Sequence, residues 1–385
     1  MSRALTAILK QAEENLVPLS VLFELTNRCN EDCAHCYVDL GDIEGELTTE
    51  EVIDILGQLR AMGTLFLTFT GGEIFTRKDI LTLIRHARGL GFALRLFTNG
   101  TLVRDEAIEA IAEASVIGVE MSLYAMDAAA HDAVTRIPGS WAKTTLAARR
   151  MRAAGIPVVL KAPIMAGISK EYAQVLAFAR EIGAEYRFDP TLIVRNDLDD
   201  TPVNHRMNRA DLLGFCMDPH LGQAVAPGTG HKPDPGQSTC ATARRVALIS
   251  SRGRVYPCSQ RFPPAGSLRE QSFREIWENS PLLLRLRNIT AQDLPVCSGC
   301  EQSSFCGRCS LDALFEDGDF FGPNTWRCEL GEIRVQAYEK GGTTELEMIR
   351  AKLQQRARSS ANRLPALSAA TAAPGSSCGP GDQGE

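Results

Sequence analysis

Three cysteines lie within eight residues near the start of the chain, as Cys-x3-Cys-x2-Cys at Cys29, Cys33 and Cys36. They follow a short apolar segment, VLFELT at 21–26, which predicts a β-strand. Thiolates at this spacing can bind three irons of an iron–sulfur cubane and leave the fourth iron open. The alternative is a structural zinc site, which needs four closed ligands and would have to recruit His35. We predict an iron–sulfur cluster on this loop.

A second group of cysteines occurs much later in the chain. Its members are Cys240, Cys258, Cys297, Cys300, Cys306, Cys309 and Cys328. Taken alone, the two Cys-x2-Cys pairs would also fit a zinc knuckle. Seven ligands are too many for one tetrahedral zinc, and the same chain already carries a predicted cluster. We therefore predict additional iron–sulfur clusters in this region.

Polar residues follow the next predicted strands at the points where those strands end. Gly71, Gly72 and Glu73 follow the second strand, Asn99 follows the third and Ser122 ends the fourth. Glycines allow a backbone to approach a ligand closely, and a carboxylate can pair with an ammonium group. Each segment alone would also fit an ordinary turn or a buried serine. This pattern assigns no catalytic side chain.

Three cations near the same edge are further candidates for binding a carboxylate or the substrate. They are Arg136, Lys161 and Arg187. The alternative for each is a solvated or structural charge, which is the common state of Lys and Arg side chains.

These residues require a scaffold that brings the ends of several strands together. After residues 21–26, apolar strand candidates recur with an amphipathic helix between each pair. They lie at 64–69, 92–97, 116–123, 156–164 and 185–194. Such alternation is typical of a parallel sheet, and six units predict an α/β fold with a partial (β/α)6 barrel. Active sites of parallel barrels lie at the carboxyl ends of the strands, where the first cysteine loop is expected.

The remaining segments predict the domain organisation. The expected parts are an N-terminal helical extension (1–19), the partial barrel (20–215), a Pro/Gly-rich linker (216–239), a cysteine-rich domain (240–335), a C-terminal helix (336–358) and a disordered tail (359–385). We expect the cysteine-rich part to be a separate domain that caps the open side of the barrel. Cys378 is predicted to be an exposed thiol in the tail.

Composition limits the classes of function. The formal charge of −6 gives no basic surface for nucleic acid. No run of about 18 apolar residues is present, so we expect no membrane span. The N-terminus lacks the apolar core of a secretory signal, so we expect a cytoplasmic protein whose twelve cysteines stay reduced and bind metal.

The first cysteine loop, which ends in Tyr37, resembles the signature of the radical S-adenosylmethionine superfamily. The resemblance implies that the open iron binds the amino and carboxylate groups of S-adenosylmethionine, which is cleaved to methionine and a 5′-deoxyadenosyl radical. It also implies that Gly71-Gly72-Glu73 holds the methionine amino group, and that Asn99 and Ser122 lie near the ribose. Ile74 follows where the family commonly has proline.

Residues 240–328, with the segment from Gly266 to Trp277, resemble the SPASM extension of peptide-modifying radical enzymes. The resemblance implies two auxiliary [4Fe–4S] clusters. One would be bound by Cys297, Cys300, Cys306 and Cys328. The other would have three ligands, Cys240, Cys258 and Cys309, with its fourth iron open or bound by Cys216 or a substrate thiol. The last pair is spaced x2 where the family more often has x3.

The resemblance implies a maturase of ribosomally made peptides that installs a thioether or C–C crosslink. Its partners would be a precursor peptide and an external flavodoxin- or ferredoxin-type electron donor. We expect no fused winged-helix leader-binding domain, so a separate leader-binding protein or direct docking would be needed. The alternatives are a cofactor-biosynthesis enzyme, a formylglycine-forming sulfatase maturase or a non-enzymatic electron carrier. Sulfatase maturases have an aspartate directly after the cysteine that corresponds to Cys258, whereas Ser259 stands here.

Overall fold

Six parallel strands form an open barrel in a computed structural model that describes residues 3–38, 40–41, 43–218, 235–259 and 263–340. They are β1 (Ser20–Glu24), β2 (Phe66–Thr70), β3 (Ala93–Thr98), β4 (Gly118–Ser122), β5 (Val158–Pro163) and β6 (Glu185–Asp189). Each strand pairs in parallel with the next one along the chain. The predicted partial (β/α)6 barrel is therefore confirmed.

Helices connect these strands and cover one face of the sheet. Those before residue 219 are α1 (Arg3–Glu14), α2 (Thr49–Ala61), α3 (Ile80–Gly89), α4 (Asp105–Glu113), α5 (Ala128–Thr135), α6 (Ser140–Ala153), α7 (Tyr172–Ile182) and α8 (Arg209–Met217). Those after residue 234 are α9 (Phe273–Asn279), α10 (Pro281–Arg287), α11 (Pro295–Ser298), α12 (Ser310–Asp317) and α13 (Thr325–Glu339). No helix in these described residues is long and apolar enough to cross a bilayer.

Alternation along each strand separates an apolar outer face from a more polar inner face. Val21 and Phe23 on β1, and Leu67 and Phe69 on β2, are completely buried beneath the helices. Helix α2 begins at Thr49, directly after Thr48, because Thr48 and Glu51 form a capping box. The core thus lies between sheet and helices, and the residues between the buried ones face the interior of the barrel.

The cysteine-rich region is joined to the barrel sheet. Strand β7 (Val246–Ile249) pairs in parallel with β1, and β8 (Arg254–Tyr256) and β9 (Gly266–Ser267) extend the sheet by antiparallel pairing. Strands β7 and β8 form a hairpin, and the expected separate capping domain is instead continuous with the sheet. The physical reason is that β1 would otherwise present an edge of unpaired backbone groups.

Two predicted boundaries differ from the observed elements. Helix α8 includes Cys216 and Met217, so the chain is still helical where the linker was expected to begin. Helix α13 begins at Thr325, before the predicted start at 336, because the Asn324 side chain caps the Arg327 amide. Most of the predicted linker (219–234), the chain beyond residue 340 and Cys378 lie outside the described residues.

Trp277 on α9 connects the cysteine-rich region to the N-terminal segment. Its ring is 2% exposed and stacks on Phe273 with centroids 5.9 Å apart. Its indole nitrogen donates to the Leu16 carbonyl at 2.6 Å. This side chain therefore packs two distant parts of the chain together.

We expect Trp277→Ala to lower the free energy of unfolding by about 3–5 kcal/mol, because it leaves a large cavity and an unpaired carbonyl. Urea denaturation followed by circular dichroism measures this change. Leu146→Ala is the matched control, because Leu146 is 56% exposed and its truncation should change stability by less than about 0.5 kcal/mol. Equal effects of the two substitutions would contradict the packing role of Trp277.

Candidate active site

The loop after β1 gathers the first three cysteines at the carboxyl edge of the sheet. Burial, together with the charges of Glu73, Glu31 and Cys36, raises the pKa of the Cys29 thiol to about 12. Burial also raises the pKa of Cys33 and Cys36, and Cys33 feels the charges of both other cysteines. Three thiolates are thus unstable together in this loop unless a cation accompanies them. Iron ions supply that positive charge, so the donor set fits a cluster.

Backbone hydrogen bonds tie the glycine loop to the cysteine loop. The Gly72 amide donates to the Thr26 carbonyl at 2.8 Å, and the Glu73 amide donates to the Arg28 carbonyl at 2.7 Å. A Cβ atom on Gly71, whose φ is +139°, would lie 2.3 Å from the Thr26 oxygen. The sequence suggested that these glycines admit a ligand; the structure adds that they admit the neighbouring loop.

The Glu73 carboxylate connects the glycine loop to the loop after β3. It is completely buried and accepts from the Thr98 hydroxyl at 2.8 and 2.9 Å. It also accepts from the amides of Asn99 at 2.7 Å and Phe75 at 3.0 Å. Burial raises its pKa, while these donors act in the opposite direction. The side chain thus holds two loops together at the edge where the methionine ammonium group is predicted to bind.

Asn99 is bonded to the cysteine loop through a residue that the sequence analysis did not identify. The side-chain amide of Asn99 donates to the Asn30 side-chain oxygen at 3.0 Å. The Asn30 side chain in turn donates to the Thr101 hydroxyl at 2.7 Å. Ser122 ends β4 at the same edge, opposite Lys161 in the strand register. Glu73, Asn99 and Asn30 are therefore linked by hydrogen bonds, and Ser122 lies at the same edge of the sheet.

Tyr124 is a second residue that sequence reasoning missed. It follows β4, is 3% exposed, and its hydroxyl donates to the Cys33 sulfur at 3.8 Å. The His35 ring packs against it edge-on, with centroids 4.9 Å apart. Burial lowers the pKa of His35 to about 4, so its imidazole is neutral. Two aromatic side chains thus cover one side of the cysteine loop.

Helix α5 supports the cysteine loop from outside. The Asp32 amide donates to the Thr135 carbonyl at 3.1 Å, and the Ala34 amide donates to the Val134 carbonyl at 2.9 Å. Arg136, one of the three cations predicted to bind a carboxylate or the substrate, forms an exposed ion pair with Asp32 at 2.9 Å. In this structure Arg136 therefore braces the cysteine loop.

The seven later cysteines all line one cavity of about 560 Å³. Within it, the Cys306 pKa is raised to about 11 by burial and by the charges of Cys328, Cys297 and Cys300. The Cys328 pKa is likewise raised by burial and by Cys297 and Cys300. These four are therefore neighbours, as the resemblance implied for one auxiliary cluster.

The other three cysteines line the same cavity. Burial and Asp312 raise the pKa of Cys309, Cys258 follows β8, and the exposed Cys240 contacts the Thr242 hydroxyl at 2.9 Å. The eleven described cysteines form no disulfide. Within the described residues, no three Cys, His, Asp or Glu side chains are arranged around a single metal ion.

Cys216 lies apart from this cavity. It is on α8, 2% exposed within the hydrophobic core, where burial raises its pKa to about 11. It does not appear among the described residues that line the cavity. The suggestion that Cys216 supplies a fourth ligand therefore gains no support from the structure.

Comparisons with known proteins decide the family. The sequence model of the radical SAM superfamily matches residues 23–179, and that of the SPASM iron–sulfur cluster-binding domain matches residues 240–301. The chain is 30% identical to the PqqA peptide cyclase of Xanthomonas euvesicatoria pv. vesicatoria over 322 residues, 78% of this chain and 85% of that protein. This chain belongs to the radical SAM superfamily. It is an enzyme of the SPASM type that uses S-adenosylmethionine, a [4Fe–4S] cluster and auxiliary iron–sulfur clusters.

Two further similarities extend over most of the chain. The AdoMet-dependent heme synthase of Methanosarcina barkeri is 28% identical over 331 residues, 79% of this chain and 94% of that protein. The structure of Streptococcus suis SuiB bound to S-adenosylmethionine has a TM-score of 0.66 at 17% identity, and the match covers 85% of this chain and 80% of SuiB. The likeness to SuiB concerns the fold.

We expect Gly72→Ala to remove about four irons per protein, one cluster, and to abolish 5′-deoxyadenosine formation. The added Cβ would lie 2.2 Å from the Arg28 carbonyl oxygen and 3.1 Å from the Cys29 Cβ, so the cysteine loop must shift. Iron analysis and chromatography of 5′-deoxyadenosine measure both effects. Gly89→Ala is the control, because nothing lies within 4 Å of its Cβ position. Full iron content and normal cleavage in Gly72→Ala would contradict this account.

We expect Tyr124→Phe to make the reduction potential of the radical-forming cluster more negative. A hydrogen bond to a ligand sulfur stabilises the reduced, more negatively charged cluster, and this substitution removes one. A redox titration followed by electron paramagnetic resonance measures the potential. Tyr172→Phe removes a hydroxyl that donates to Asp218 at 2.9 Å and serves as control. Identical potentials in both variants and the wild type would show that the Tyr124 contact is without electronic effect.

Proposed function

We propose that this enzyme matures a ribosomally made peptide by oxidative crosslinking, forming a thioether or C–C bond. The observation that carries the proposal is the cavity lined by seven cysteines. Four of them are close enough for their charges to raise one another's pKa, and the other three are available for a second cluster. The PqqA peptide cyclase relative is named for a peptide substrate, and SuiB has also been solved bound to its precursor peptide SuiA. Both similarities support a peptide as the substrate class.

Cys29, Cys33 and Cys36 are the proposed ligands of the cluster that binds S-adenosylmethionine. When bound, the cluster and S-adenosylmethionine supply a 5′-deoxyadenosyl radical that abstracts a hydrogen atom. The chain itself holds the loops in place. Glu73 fixes the glycine loop against the loop after β3, and the Gly71–Gly72 backbone is proposed to receive the methionine amino group. Asn99 and Ser122 are proposed to lie near the ribose, as the sequence analysis expects.

Crosslinking requires somewhere for an electron to go. Forming a new bond between two C–H or S–H groups removes a hydrogen atom, a proton and an electron from the peptide. We assign one auxiliary cluster to Cys297, Cys300, Cys306 and Cys328, and a second to Cys240, Cys258 and Cys309. They would supply the electron acceptor, and a three-ligand cluster could also bind a soft substrate thiolate. The enzyme would then hold about twelve irons in three [4Fe–4S] clusters.

The remaining partners follow from the same chemistry. A flavodoxin- or ferredoxin-type donor would reduce the radical-forming cluster, and either a separate leader-binding protein or direct docking on the sheet would position the peptide. We also place the enzyme in the cytoplasm, where its thiols would stay reduced.

A second candidate is a role in cofactor biosynthesis on a tetrapyrrole. It is favoured by the similarity to the heme synthase, which extends over 94% of that protein. The sulfatase-maturase alternative is weaker, because Ser259 stands at the position where those enzymes are expected to have aspartate.

The deciding experiment uses the reconstituted full chain, a chemical reductant and S-adenosylmethionine. Separate reactions contain each short peptide encoded beside the gene, or the tetrapyrrole substrate of the heme synthase. We expect 5′-deoxyadenosine to form together with a peptide that has lost two hydrogen atoms, as seen by mass spectrometry. Conversion of the tetrapyrrole with every peptide unchanged would replace this proposal by the second candidate.

We expect Cys309→Ala to retain 5′-deoxyadenosine formation and to lose crosslinked product. Cys309 is one of only three proposed ligands of its cluster, so its loss should remove that cluster. It lies outside the barrel, where the radical is proposed to form, so radical formation should continue. Product and 5′-deoxyadenosine are measured in the same reaction, beside iron content and circular dichroism, because loss of a cluster can unfold its domain. Cys216→Ala is the control: it removes a buried thiol outside the cavity and should keep full iron. Normal product from a folded Cys309→Ala variant would show that this cluster only supports structure.

A further inference from the structure

A buried carboxylate inside the barrel is surrounded by three cations. Glu120 on β4 is 1% exposed at its side chain. Its oxygens lie 2.9 Å from the Lys161 ammonium, 3.2 Å from Arg95 Nε and 3.4 Å from the Arg187 guanidinium. The cations come from β5, β3 and β6, so four neighbouring strands contribute to one cluster.

This cluster carries an excess of two positive charges, since one carboxylate faces three cations. Other acidic side chains lie on β1 and β6, and Glu185 begins β6 two residues before Arg187. Glu24 on β1 lies near Cys36, whose pKa it raises. Asp189, at the end of β6, accepts from the Thr191 amide at 2.8 Å and lies near Arg334. Among the four side chains of the ion-pair cluster itself, three cations therefore share one carboxylate.

The cations are open to the barrel interior. The side chains of Arg95, Lys161 and Arg187 are 38%, 34% and 53% exposed, whereas Glu120 beneath them is enclosed. Lys161 lies over the Phe97 ring, with its nitrogen 4.1 Å from the centroid. A carbon chain that reaches the cations could thus lie beside an aromatic surface.

The ion-pair cluster around Glu120 lies away from the loop that carries the first three cysteines. That loop follows β1, whereas Lys161 and Arg187 lie on β5 and β6, at the opposite end of the six-stranded sheet. Lys161 is opposite Ser122 in the register, at the predicted S-adenosylmethionine edge. A group bound by these cations would therefore lie on one side of the predicted S-adenosylmethionine site, and the cysteines that bind the iron–sulfur cluster would lie on the other.

We propose that Lys161 and Arg187, held from below by Glu120 and Arg95, bind a carboxylate of the substrate. The ligand is an acidic side chain or the C-terminal carboxylate of the peptide, so the inference rests on the proposed function. Guanidinium and ammonium groups form their strongest hydrogen bonds with carboxylates, and an open cluster with two surplus charges in a partly enclosed barrel favours an anion. Glu120 offsets one charge and fixes the positions of the cations.

The test is calorimetry on the reconstituted enzyme with S-adenosylmethionine and no reductant. The probes are N-acetyl-glutamate α-amide and its neutral analogue, N-acetyl-glutamine amide. N-acetyl-alanine and its amide test the C-terminal carboxylate in the same way. We expect at least one acid to bind about tenfold tighter than its amide, a difference of about 1.4 kcal/mol. Equal binding within both pairs would overturn the proposal.

Variants identify the residues responsible. The double variant Lys161→Met/Arg187→Met should lose the preference for the acid and keep its affinity for S-adenosylmethionine. Arg149→Met is the control, because Arg149 forms an exposed ion pair with Glu181 on the helical layer. A preserved preference in the double variant would overturn the proposal. So would an equal loss of S-adenosylmethionine affinity, because the cations would then serve the cofactor.

Glu120→Gln provides an independent sign test. It removes the only negative charge of the cluster, so the acid should bind more tightly while the amide is unaffected. If the double variant fails to fold, this result decides, and an unchanged or weaker affinity for the acid overturns the proposal. A purely structural ion-pair network predicts lower stability without any gain in acid binding.

The binding test also separates this inference from the proposed function. Because no turnover is needed, an enzyme that prefers the acid yet modifies no peptide would retain the subsite and lose the peptide role. Haem and its dimethyl ester form a further pair of probes. Preference for free haem over the ester, with no preference within the peptide-like pairs, would overturn the peptide carboxylate as the ligand.

Discussion

The candidate site depends on the backbone pairing between the loop after β1 and the loop after β2. This pairing continues the β1–β2 ladder beyond the strands, through the amides of Gly72 and Glu73. It is possible only because neither Gly71 nor Gly72 has a Cβ, since that atom would overlap a carbonyl oxygen. The Glu73 carboxylate then fixes the loop after β3, and Asn99 returns from there to Asn30 on the cysteine loop. The three loops thus form a closed circuit of hydrogen bonds.

The same sheet connects the two groups of cysteines. Strand β7 lies beside β1, and the turn after β7 reaches the first cysteine loop, where Ser251 donates to the Asn27 side chain at 3.1 Å. A second attachment forms after β6. Arg206 pairs with Glu316 on α12 through two hydrogen bonds of 2.7 and 2.8 Å and lies over the Trp326 ring. The cysteine-rich region is therefore fixed to the barrel at both sides, which limits relative movement of the cysteine groups.

The two faces of the sheet serve different purposes. The outer face is apolar and packs against helices, which accounts for the strand pattern recognised in the sequence. The inner face carries Glu120 and its three cations, and this arrangement costs desolvation that a packed apolar interior would avoid. Charged groups that are partly open to a concave surface are typical of binding sites, where their interactions with a ligand are strengthened by the low dielectric around them.

Local patterns in the sequence determined the partial barrel, the cysteine loop after β1 and the start of α2. These features depend on residues close together in the chain, through strand alternation, helix capping and ligand spacing. Only the tertiary structure revealed the pairing of β7 with β1, the inward direction of the Glu73 carboxylate, and the contacts of Asn30 and Tyr124 with the cysteine loop. It also showed that Cys297, Cys300, Cys306 and Cys328 are neighbours while Cys216 lies in the core. These features join residues that are tens to hundreds of positions apart, and no local propensity encodes which distant backbone edge or side chain will meet.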